Sequence, residues 1–188
     1  MKQEPRFFSA KQFNRIAFDA AHAIVKYSKF MRLVDKTFQK QIMLAVSGVN
    51  KCSICSYVHT KSLLKSGASN EELKMLYEGK FENLDENITF ALVFSEHYAD
   101  QGGNYDQEAF EKVIEYYGKD KAYGIMATIK MIMFGNTNGI ALGNLGARFK
   151  FKKNKNSKFF TDLYNGLFAY ILLPLFLLIN LFTKKRIY

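Results

Sequence analysis

A chain of 188 residues, 48% of them hydrophobic, is long enough to bury one core and short for two domains. With two prolines, twelve glycines and no tryptophan, the composition is not of the disordered type. The net charge of +10 invites a nucleic-acid partner. However, residues 1–147 carry 18 Lys+Arg against 16 Asp+Glu, and residues 148–188 carry nine against one. The basic excess belongs to the tail, so no nucleic-acid partner is expected.

The start, MKQEPRFFSAKQF, has no long apolar run and no small-residue cleavage site. No secretory signal is expected there. Phe13, Ile16, Ala17, Ala20, Ile24 and Tyr27 then recur at helical spacing, with Ser9 as N-cap. Phe38, Ile42, Ala45, Val46 and Val49 repeat the pattern after Asp35. A helix over about Ser53–Lys65 follows, closed by Gly67. Ser69 and Glu72 fit a capping box for the next helix. DENITFALVFSEHYAD predicts a further helix ended by QGGN, and Asp106 caps another. The stretch from Asp120 to Gly146 reads as a longer helix, weakened by Gly124, Gly135 and Gly139. Sustained period-two alternation is absent, so the expected fold is an all-α helical bundle.

The chemistry concentrates in NKCSICSYVHTK, residues 50–61. Two cysteines among 188 residues are unremarkable as small buried groups. A C-x-x-C with a histidine in helical phase is less easily accidental. Cys52 and Cys55 are i,i+3 neighbours, and Cys55 and His59 are i,i+4 neighbours. Asn50 and Lys51 read as a break, which puts Cys52 at a helix N-terminus, where the dipole favours a thiolate. His59 can carry a proton near neutral pH. A metal site would need a fourth ligand, and a second ligand pair is normally remote in sequence. His22 and His97 each stand alone on an apolar face, so neither metal nor cofactor is expected. Two cysteines make no secreted disulfide framework, and the expected compartment is reducing.

The motif C-x-x-C-x-x-x-H, opening a helix after an amphipathic one, resembles the carboxymuconolactone decarboxylase-like group, and within it the alkylhydroperoxidase D-like branch. LDENITFALVFSEHYAD and MIMFGNTNGIAL are similar to later helices of that branch, so the resemblance spans roughly residues 10–147. It implies a helical bundle that forms a homo-oligomer. It also implies a thiol peroxidase or disulfide reductase that takes a hydroperoxide or disulfide substrate and a thiol reductant protein. In such members the second cysteine, here Cys55, meets peroxide, and the first, here Cys52, resolves it. The histidine, here His59, belongs to a proton relay. The relay's glutamate position falls on Lys40, and a histidine found inside some motifs falls on Ile54. The helix dipole favours Cys52 as the more acidic thiol, whereas the family roles give the peroxide step to Cys55. The alternative to an enzyme is a non-catalytic oligomer or binding scaffold that has lost the relay. A decarboxylase reading is disfavoured because lactone chemistry needs no dithiol.

Residues 148–160 read as a basic linker, RFKFKKNKNSK at its heart. From Leu163 to Thr183, 21 residues carry no charge, which is enough to cross a bilayer as a helix. Residues 161–188 are therefore expected to anchor the chain in membrane lipid. The richer basic flank upstream puts residues 1–147 on the cytoplasmic side. A segment that only lies in the interface is the alternative.

Overall fold

The structure is a computed structural model that describes residues 4–152 and 154–183. Lys153 and the basic end at 184–188, both counted above as flanking charge, lie outside the described residues. Among the described residues the chain is all-α, with no strand. The helices are α1 (Ala10–Met31), α2 (Lys36–Asn50), α3 (Ser53–Lys65), α4 (Asn70–Glu78), α5 (Glu86–Asp100), α6 (Gln107–Tyr117), α7 (Lys119–Phe149), α8 (Phe159–Leu167) and α9 (Ala169–Phe182).

Short polar caps set most of the boundaries. Ser9 makes a reciprocal capping box with Gln12, and Asp35, Asp85 and Asp106 accept from backbone N–H groups in the first turns of α2, α5 and α6. Ser69 accepts from the Glu72 N–H as expected, but the Glu72 carboxylate is used elsewhere, accepting from Gln41 Nε2 at 2.9 Å. Gly67, just beyond α3, adopts φ +93°, the left-handed conformation that ends a helix.

α7 is the axis of the bundle. It packs against α1, α2, α3, α5, α6 and α8. It runs 31 residues without a break, although three glycines were expected to weaken it. Two of those glycines let neighbours approach closely. A Cβ on Gly124 would lie 2.5 Å from the Phe30 carbonyl oxygen, and one on Gly139 would lie 2.9 Å from Cys55 Sγ. The helix thus accepts their poorer propensity, about 1 kcal/mol each against alanine, in exchange for contact.

α1 departs from its single-faced reading. Ala21, His22 and Ala23 are buried together with Phe13, Ile16, Ala17 and Ala20. α7 covers one side of α1 and α9 covers another, which buries residues that a one-sided helix would show to water. The Phe18 ring meets Phe176 of α9 edge-on at 5.5 Å.

The segment read as a basic linker is packed. Asp162, the one acid of the tail, is buried and accepts from Ser157 Oγ and from Asn144 Nδ2. Arg148 donates to the Ser157 carbonyl at 3.1 Å and stands 3.8 Å from Asp162. The apolar segment also differs from a straight span. α8 and α9 meet at a bend of 50°, and no single described helix is long and apolar enough to cross a membrane.

Gly124→Ala tests the close-packing account. Alanine improves helix propensity but drives a methyl group against a backbone carbonyl, and overpacking of this kind costs about 1–3 kcal/mol. The denaturation midpoint should fall. Gly146→Ala, whose Cβ would meet nothing within 4 Å, should leave it unchanged or raise it. Equal midpoints for the two variants would contradict a tight α1–α7 contact.

Candidate functional site: the Cys52–Cys55 corner

The site is made by a sharp turn between two helices. Lys51 adopts a left-handed conformation at φ 55° and closes α2. The Cys52 N–H donates to the Ser47 carbonyl at 3.2 Å, which folds the chain back over the end of α2. Cys52 then becomes the N-cap of α3, and its sulfur accepts from the Cys55 N–H at 3.4 Å. The two cysteines are joined in a disulfide with a Cα–Cα separation of 5.3 Å.

The two sulfurs stand in different surroundings. Cys52 is 1% exposed, whereas Cys55 is half-buried. Gly139 of α7 lies against both, since a Cβ there would come within 2.9 Å of Cys55 Sγ and 3.1 Å of Cys52 Sγ. The Gly135 carbonyl oxygen lies 3.8 Å from Cys55 Sγ. Outward from the disulfide, Ile54, Tyr57 and Val58 are exposed apolar residues on α3.

His59 is half-buried one turn beyond Cys55. Burial holds its imidazole below the ordinary histidine range, so it is neutral at pH 7 and can accept a proton. Lys40, which the resemblance sets at a glutamate position, donates to Ser66 Oγ at 3.2 Å. Ser66 is seven residues past His59, roughly 10 Å along the helix. Gln39 is equally committed, donating to the Met31 and Val34 carbonyls, and Gln41 to Glu72. Lys51, next to Cys52 in the chain, sets its amine 5.1 Å from the centre of the Tyr77 ring. Asn50 Oδ1, Ser56 Oγ and Asn136 Nδ2 are buried with no hydrogen-bond partner among the described residues.

A second polar cluster was not read from the sequence. Lys130 is 7% exposed in α7 and its amine lies 5.9 Å from the centre of the Tyr105 ring. Burial lowers its pKa, opposed by the charge of Asp19 on α1. His22, expected to be an isolated residue, belongs to the same neighbourhood. Burial first, then Lys130 and Lys26, depress its pKa. The available signal was a lysine within the apolar run ATIKMIMF. Among the described residues, no group of three or more His, Cys, Asp and Glu side chains is placed to hold a metal ion. A cleft lined by Phe38, Gln41, Glu72, Leu84, Ile88 and Lys121 shares no residue with the cysteine corner.

The two depressed imidazoles make stability depend on pH. Both are held neutral in the fold, while an unfolded chain takes up protons near pH 6.5. Their contribution is complete above that pH and is lost as pH falls below it, by at most about 1.4 kcal/mol per pH unit for each imidazole. Asp19 and Glu96, both pushed up by burial, act in the opposite sense, from the ordinary carboxylate range upward. The urea midpoint should therefore drop between pH 7 and pH 6, and His59→Gln should reduce that drop. A midpoint that rises on acidification over this window would contradict the burial of the imidazoles.

No family model matches the chain, and no solved structure matches it. The chain is similar to an uncharacterized Bacillus subtilis (strain 168) protein, YdfG, at 28% identity over 126 residues, which is 65% of this chain and 84% of that protein.

Proposed function

We propose that the protein is a dithiol oxidoreductase of the alkylhydroperoxidase D-like type, a thiol peroxidase or disulfide reductase that works through Cys52 and Cys55 with His59 in proton transfer. The observation that carries this reading is the asymmetry of the disulfide. Cys52 is sealed at the start of α3, whereas Cys55 is half-buried, and one helical turn further on stands His59, an imidazole that burial keeps neutral.

The chemistry follows from that asymmetry. A donor thiolate attacks Cys55 Sγ, the S–S bond breaks, and Cys52 leaves as a thiolate. The Cys55 N–H and the N-terminus of α3 stabilise that negative charge. The donor's second thiol then attacks the mixed disulfide, leaving the donor oxidised and Cys55 reduced. In the oxidative half, the Cys55 thiolate attacks the hydroperoxide. The O–O bond breaks, Cys55 becomes a sulfenic acid, and the alkoxide takes the proton that the Cys55 thiol gave up to His59 when it ionised. Cys52 thiolate displaces hydroxide from the sulfenic sulfur and closes the disulfide, and the hydroxide takes the proton that the Cys52 thiol released, leaving as water.

The exposed Ile54, Tyr57 and Val58 form the surface that a thiol reductant protein would meet. Homo-oligomerisation belongs to the same reading. Attachment to the cytoplasmic face of a membrane, through the C-terminal helices, would bring lipid hydroperoxides within reach. A second reading, a scaffold of the same fold without turnover, is favoured by one observation: Lys40 is engaged at Ser66 and supplies no relay carboxylate.

The assay uses full-length protein with an organic hydroperoxide and a dithiol donor. Turnover is expected to vanish in Cys55→Ser and to fall about 10²–10⁴-fold in His59→Gln. Wild-type protein that consumes no peroxide and reduces no disulfide supports the scaffold instead.

A further inference from the structure

We propose that the protein docks on an anionic lipid surface by laying the outward face of α9 into one leaflet, in the membrane plane and without crossing it. This rests on the membrane part of the reading above and is independent of the thiol chemistry.

The first observation is a helix face turned the wrong way for water. Ile171, Leu175, Leu178 and Phe182 follow one another at helical spacing and are 63%, 48%, 55% and 85% exposed. Pro174 lies on the same exposed stripe. The opposite face, with the buried Ala169 and Asn180, packs on α1. A helix at a water-exposed surface puts polar residues outward. This one has no charge anywhere from Leu163 to Thr183. Its 14 residues make an apolar strip roughly 21 Å long.

The second observation is that the segment is tied to the body. Asn165 Nδ2 donates to the Phe8 carbonyl at 2.9 Å, and Asn138 Nδ2 donates to the carbonyls of Asn165 and Gly166 at 3.1 and 2.9 Å. Tyr164 Oη bonds Asn14 Oδ1 at 3.0 Å. A transmembrane helix needs about 20 apolar residues in one rod. Straightening the 50° bend between α8 and α9 would pull these polar groups from their partners into hydrocarbon. An in-plane arrangement keeps every one of them.

Charge selects the occupant. Lys150, Lys152, Lys155 and Lys158 are exposed in the turn before α8, with Phe149, Phe151 and Phe160 exposed among them. The one acid of the tail, Asp162, is buried. The lysines immediately precede the apolar segment in the chain, so a second copy would add only more of the same charge. Anionic headgroups complement them, and the aromatic rings suit the interfacial zone.

The chain has no tryptophan, so Leu175→Trp gives a single depth reporter in the full-length protein. It is mixed with phosphatidylcholine vesicles, with and without phosphatidylglycerol. Binding should be at least about tenfold stronger with phosphatidylglycerol and should weaken with salt. Lipids brominated near the headgroup should quench the reporter more than lipids brominated near the chain ends. Leu175→Glu with Leu178→Glu should abolish binding while the helical circular dichroism is kept. Stronger quenching by the deep label means a span, which overturns the in-plane proposal and leaves membrane attachment standing. Absence of vesicle binding overturns both. Dimers in light scattering that the double substitution dissociates would assign the strip to a second copy.

Discussion

The close approach of α7 to its neighbours is the constraint on which the rest depends. At Gly124 the helix meets the backbone of α1, and at Gly139 it meets both sulfurs of the cysteine pair. A side chain at either position would push α7 outward. At Gly139 it would also occupy the space that the disulfide fills. Sealing of Cys52, partial exposure of Cys55 and the cover over α1 are three consequences of one helix being allowed to come near.

The cysteine corner combines that steric closure with simple electrostatics. The Cys55 N–H and the N-terminus of α3 are the groups that would meet a negative charge on Cys52 in the reduced pair. Burial keeps the His59 imidazole neutral. Lys130 of α7 interacts with Asp19 and His22 of α1 and belongs to the α1–α7 contact.

Local signals made much of this legible in the sequence. Caps at Ser9, Asp35, Ser69 and Asp106, and the limits of α3, are decided by neighbouring residues and were readable as such. The break that makes Cys52 an N-cap was equally local. What depended on distant partners was hidden. Gly124, Gly135 and Gly139 looked like weaknesses because the neighbours that two of them admit are far away in the chain. The second buried face of α1 depends on α9, which composition alone assigned to lipid. The basic linker folds because Asp162 gathers Ser157 and Asn144, a pairing that charge counting dilutes among nine cations. Lys130 was lost in an apolar run because its compensating acid lies on another helix.

The central claim is that an incoming sulfur reaches Cys55 and not Cys52. Its most direct measurement is the reaction of an aromatic disulfide reagent with the reduced single-cysteine variants, followed by release of the coloured thiolate. Cys52→Ser, which keeps Cys55, should react at least about tenfold faster than Cys55→Ser, which keeps the sealed Cys52. Equal rates, or a faster reaction at Cys52, would contradict the account.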